Sequence, residues 1–145
     1  MPCVAAHAGV AGAPQVISLN DFRALKQSSA WSVLRAKLSR WKSLPLDWDG
    51  DDGIAPSDFT IEASHVILNE LESVSAPAPT AGVSGDGEVM FEWVKGDGYA
   101  SISQTDDGHI IAFLREPGLD QPLRIDEPFA VDALTPFLNR IGAFV

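Results

Sequence analysis

One cysteine, Cys3, leaves this 145-residue chain no partner for an internal disulfide, which suits a reducing compartment. No stretch approaches the ~18 consecutive apolar residues of a membrane-spanning helix. The opening residues MPCVAAHAGVAGAP lack the basic start and long apolar run of a secretory leader. Residues 1–15 therefore read as a loose tail, residues 16–145 as a single domain, and the compartment as the cytoplasm. Basic residues are scarce beyond residue 46. There Lys95, Arg115, Arg124 and Arg140 stand against nineteen acids, a net of −15. The first 46 residues hold six cations against Asp21 alone, a net of +5. So acidic a body repels phosphate backbones, which argues against direct nucleic-acid binding and makes a basic protein the natural partner.

Metal and nucleophile signals are equally thin. His7, His65 and His109 show no pair at ligand spacing, and Cys3 has no basic neighbour to activate it. No G-x-S-x-G is present, and the glycine-rich stretch 82–87 lacks a phosphate-loop lysine and leads into a strand. These absences leave no catalytic constellation and imply no cofactor. An enzyme would need an unrecognised site around His65 or His109.

The apolar fraction of 46% and charged fraction of 21% are those of a chain that builds a core. Ser18 and Asp21 start a helix near Asn20, and Trp31, Leu34, Leu38 and Trp41 form its apolar stripe. Ser28-Ser29 is a candidate break, and Pro45 ends the segment. Pro56-Ser57-Asp58 starts a second helix, with Phe59, Ala63, Val66, Ile67 and Leu71 as its buried stripe, widened by Ile61 and Leu68. Alternation over 88–95, 99–105 and 109–115, punctuated by Asp-Gly turns, predicts hairpins, with a further strand around 81–84. A short extended piece is expected at 123–125. Residues 127–143 read as a helix that is kinked by Pro136 or begins near Thr135. The fold class is α+β: an antiparallel three- to four-stranded meander with helices packed on one face.

The stretch DWDGDDGIAPSD (47–58) places Asp47, Asp49 and Asp51 at alternate positions, as a calcium loop begins. Asp52 stands where the loop's sharp turn needs glycine, and Asp58 replaces the bidentate glutamate. A calcium module would use Asp47, Asp49, Asp51 and Asp58. The structural alternative explains more of the segment. Leu44 and Trp48 anchor it on the core, Gly50 and Gly53 supply special backbone angles, and Pro56 leads into the helix.

Leu44-Pro45, Trp48-Asp49-Gly50, Gly53 and Pro56, followed by DGEVMFEW (86–93) and DGHIIAFL (107–114), carry a resemblance. They are similar to small uncharacterised bacterial proteins in which L-P-x-x-W-D-G-x-G precedes a helix and a D-G-x-V-x-x-E-W strand. The likeness spans about residues 40–115 and departs in the loop, where Asp51-Asp52 stands for what is usually one residue. It implies no established activity and transfers no catalytic residue. It implies an antitoxin-like or immunity-like role, as expected of genes in mobile or defence-linked modules. The sequence reading is thus a non-enzymatic module that docks on a basic protein partner through Glu88, Glu92, Asp97, Asp106 and Asp107. The alternative is a phage or mobile-element inhibitor whose acids imitate nucleic acid.

Overall fold

The computed structural model describes residues 18–144. The expected N-terminal tail lies outside that range.

Helix α1 runs Leu19–Trp41, and the Ser18 hydroxyl accepts the Asp21 amide at 3.1 Å. Ser28-Ser29 does not break it. Ser32 Oγ bonds the Ser28 carbonyl at 3.1 Å and Ser39 Oγ the Arg35 carbonyl at 3.2 Å, so serines here are satisfied along the helix itself. Trp31, Leu34 and Leu38 are buried as their spacing predicts, and Trp41 is half-buried against the same core.

Helix α2 spans Asp58–Ser73, with the Ser57 hydroxyl accepting the Thr60 amide at 3.1 Å. Its buried face is Thr60, Ile61, Ala63, Ser64, Ile67, Leu68 and Leu71. Phe59 departs from the expected stripe. It is 50% exposed and meets Phe129 edge-on at 5.8 Å, because its side of the first turn faces the hairpin turn at Gly108 rather than the core. Val66 is only half-buried. The two helices run antiparallel over a shared core, with two exposed ion pairs between them: Arg35 with Glu72 at 2.5 Å, and Lys42 with Asp58 at 3.8 Å. Part of the basic front thus faces acids of α2.

The sheet has five strands: β1 (Thr80–Val83), β2 (Val89–Lys95), β3 (Gly98–Gln104), β4 (His109–Arg115) and β5 (Leu123–Pro128). They pair antiparallel in consecutive order. The count exceeds the expected three to four, because the extended piece at 123–125 continues to Pro128. As an edge strand β5 buries one residue fully, Ile125, too little alternation to read in sequence. The expected strand at 81–84 is β1, shifted by one residue.

A short 3-10 turn, Val131–Leu134, leads into α3 (Thr135–Ile141), with Pro136 in the first turn where no amide is needed. Of the two expected forms, the short turn followed by a helix from Thr135 is the one adopted; there is no kink at Pro136, and residues 127–128 belong to β5. Leu134, Phe137, Ile141 and Phe144 close the core. No helix among the described residues is long and apolar enough to cross a membrane.

The three described helices cover one face of the sheet. There Val89, Phe91, Trp93, Ala100, Ile102, Ile110, Ala112 and Leu114 are buried, each large apolar side chain contributing about 1.5–3 kcal/mol. Among the described residues no helix covers the opposite face, which presents Met90, Glu92, Tyr99, Ser101, Ser103 and Phe113 half-buried. Val94 is 74% and Ile111 44% exposed on that face.

Candidate acidic interface

Two hairpin turns meet at the end of the sheet where β2 begins, because Val89 pairs with Gln104. In the β1–β2 turn the Ser84 amide bonds the Glu88 carbonyl at 2.9 Å, and Gly87 takes φ +80°. In the β3–β4 turn the Thr105 amide bonds the His109 carbonyl at 2.9 Å, and Gly108 takes φ +88°. Both angles lie in the left-handed region that glycine enters freely, which is why Asp-Gly recurs at these turns. The result sets Asp86, Glu88, Asp106 and Asp107 at one sheet end.

Burial pushes the Glu88 carboxyl above its ordinary range, and the charges of Asp106, Asp86 and Asp107 push it further. Asp107 moves the other way, chiefly because the Thr105 hydroxyl donates to its carboxylate. Beside this cluster, His109 Nδ1 lies 3.1 Å from Asp126 Oδ1, and that bond holds the imidazole above its usual value.

The five sequence-chosen acids do not form one group. Glu88, Asp106 and Asp107 come together with Asp86, which the sequence offered only as a turn residue. Glu92 stands mid-sheet on the face opposite the described helices, where the Tyr99 hydroxyl donates to it at 2.6 Å and is itself pushed up in pKa by that carboxylate. Asp97 lies at the opposite end, in the β2–β3 turn, with its carbonyl accepting from Arg115 at 2.9 Å. Lys95 and Arg115 also lie there, so the sheet is acidic at one end and carries cations at the other.

The aspartate loop adds to the acidic end, since the Ile54 amide bonds the Gly85 carbonyl at 2.9 Å. Two of its carboxylates, those of Asp47 and Asp49, are turned inward on the loop's own backbone. Asp49 Oδ1 accepts the amides of Asp51 at 2.9 Å and Gly53 at 2.7 Å, while Asp47 Oδ1 accepts that of Asp52 at 2.8 Å. Asp58 faces Lys42. Among the described residues no group of three or more His, Cys, Asp or Glu is placed to hold a metal ion.

The structural motif residues act locally. Trp48 is half-buried and donates its indole N–H to the Ile54 carbonyl at 2.9 Å, closing the loop rather than entering the main core. Leu44 is half-buried, Pro45 exposed and Pro56 buried. Gly50 takes φ +78°, as its assigned role requires, but Gly53 does not enter the left-handed region; Asp47 and Asp52 do so at φ 60° and 61°, and Gly53 is needed instead because a Cβ there would strike the Asp49 carboxylate.

His65 is half-buried on α2, and burial, then the nearby Arg35 charge, lowers its pKa. Two grooves of about 310 and 410 Å³ flank Phe144 and Lys95 at the far end of the sheet, and neither His65 nor His109 lines them. No protein-family model, curated protein or solved structure matches this chain.

Proposed function

We propose that the chain is a non-enzymatic protein-binding module, antitoxin-like or immunity-like, that neutralises or regulates a basic protein partner in the cytoplasm. The observation carrying this reading is the assembly of Asp86, Glu88, Asp106 and Asp107 on two adjacent turns, tight enough that Glu88 responds to the other three charges. Carboxylates crowded at a solvent-facing end make the local potential strongly negative and speed the approach of a cationic surface. The neighbouring aspartate loop extends the same acidic end, with Asp51 and Asp52 exposed. Glu92 and Asp97 stand outside this docking end.

Tagged protein retrieved from its native cells should carry a basic partner identifiable by mass spectrometry. Asp51, Asp86 and Asp106 are all exposed, so reversing them to lysine tests charge with little effect on packing. The triple variant should associate more slowly with the captured partner, and its rate should depend less on salt. An unchanged rate and salt slope would sink the reading.

A further inference from the structure

The sheet face left open by the described helices carries an ordered charge pattern that shares only Glu88 with the acidic end. Register defines its rows. Glu92, Ser101, Phe113 and Arg124 lie side by side, as do Met90, Ser103, Ile111 and Asp126, and as do Val94, Tyr99 and Arg115. By the same alternation Glu88 precedes Met90 on this face, and His109 precedes Ile111. Acids therefore sit on the β2 side of the central strand, as Glu88 and Glu92. Cations sit on the β4–β5 side, as His109, Arg115 and Arg124, with Asp126 already engaged by His109 at 3.1 Å. Arg124 lies over the Phe113 ring at 4.9 Å from its centroid. Between the two sides, β3 offers the small Ser101 and Ser103.

We propose that this face packs on the same face of a second copy of the chain, about a two-fold axis running along β3. A rotation about that axis lays β2 of one copy over β4 of the other and preserves the rows. Glu88 then opposes the second copy's imidazole at position 109. Met90 opposes Ile111 of the other chain, apolar on apolar, twice over. Glu92 lands on the second copy's Phe113, flanked by that chain's guanidiniums at 115 and 124. Ser101 and Ser103 leave room along the axis for the ~10 Å of aligned face-to-face packing, and Tyr99 at the end of β3 meets its own copy there, its hydroxyl held by Glu92 at 2.6 Å.

The complementarity selects this axis. A two-fold across the strands would stack β4 on itself and set His109 against Arg115, like on like. It also selects the occupant. An isologous contact needs a patch that complements itself, and unlike charges on either side of a neutral central strand make one on a chain of net charge −10. The contact goes beyond the acidic-end reading and does not rest on it, because Asp86, Asp106 and Asp107 stay outside the stacked face.

Sedimentation velocity on the full chain tests the proposal through charge exchange. Wild type should sediment at twice 15.5 kDa. The E88K/E92K variant and the R115E/R124E variant should each sediment as monomers. Mixed in equal amounts, the two should recover the dimer, since each then offers the other its missing sign. A monomeric wild type, a variant that stays dimeric, or a mixture that stays monomeric while both variants keep the wild-type circular dichroism would each overturn it.

A second measurement leaves the charges intact. In a Cys3→Ser background, chains with Met90→Cys and chains with Ile111→Cys should cross-link to each other through a short bis-maleimide, and far more slowly to themselves. Equal or absent cross-linking would overturn the proposed axis even if the chain dimerises.

Discussion

The carboxylate of Asp49 fills the space that a side chain on Gly85 would need: a Cβ there would lie 2.5 Å from Asp49 Oδ2. The aspartate cannot simply swing away, because its other oxygen holds the amides of Asp51 and Gly53. One residue thus closes the 47–53 loop and seats it on the β1–β2 turn. Gly85→Ala should cost about 1–3 kcal/mol by overpacking. Asp49→Ala should cost about 1–3 kcal/mol by leaving those two amides without their acceptor. The double variant should lose less than the sum, since removing Asp49 makes room for the methyl. Urea unfolding of all four proteins measures this, and strictly additive losses would contradict the wedge.

Gln104 is sealed in the core, and its Oε1 has no hydrogen-bond partner among the described residues. Its Nε2 reaches the Thr105 carbonyl only at 3.5 Å. A buried acceptor left unmet costs on the order of 1–3 kcal/mol, and methionine fills nearly the same volume without one. Gln104→Met should therefore raise the thermal midpoint. A fall would show that the amide is bonded in solution.

His109 ties stability to pH. Its bond to Asp126 favours the imidazolium, so its folded-state pKa lies above the ordinary 6.5. The folded chain then holds a proton that the unfolded chain releases, and stability falls as pH rises through that window. The contribution is fully present below 6.5 and lost above the folded value. Asp126→Asn should lower the imidazole pKa in an NMR titration and flatten the midpoint's pH dependence there. An unmoved titration would show that Asp126 does not hold the ring.

Glu88 works in the opposite sense at neutral pH. Its raised pKa means that burial and its acidic neighbours penalise the ionised form in the folded state. The penalty is complete above the folded value and relieved as pH falls toward the ordinary 4.5. In the R115E/R124E background, where no second copy faces this residue, Glu88→Gln should be more stable than its parent near neutrality, and the gap should close in acid. A constant gap at every pH would point to packing instead.

Much of the scaffold was legible because local rules decided it. Ser18 and Ser57 cap helices at the expected spacing, and Val89, Phe91 and Trp93 alternate inward. Phe59 misled because helical spacing marks an apolar face but not where the sheet beneath it ends. The fifth strand was faint because Ile125 alone carries its burial signal. The acidic residues were visible one by one, but joining Asp86 to Asp106 and Asp107 needs the β2–β3 register, a non-local fact. The aspartate alternation suggested an ion, while three of its acids instead take exposed or inward-bonded places in a closed loop. No spacing rule could reveal that Asp49 sits against a glycine of a later hairpin.

Strand order also bears on how the chain folds. Each strand pairs only with its neighbours in sequence, so the sheet assembles hairpin by hairpin without closing a long loop. Helices α1 and α2 precede all of it, yet Leu38 and Ile67 have only the paired helix, and no sheet, to bury against until the strands are in place. During synthesis the leading half of the chain must wait for the trailing half, its apolar stripes open to water and to other proteins. Docking of that early helical pair onto the finished sheet is therefore the step at which this chain is most exposed to misassembly.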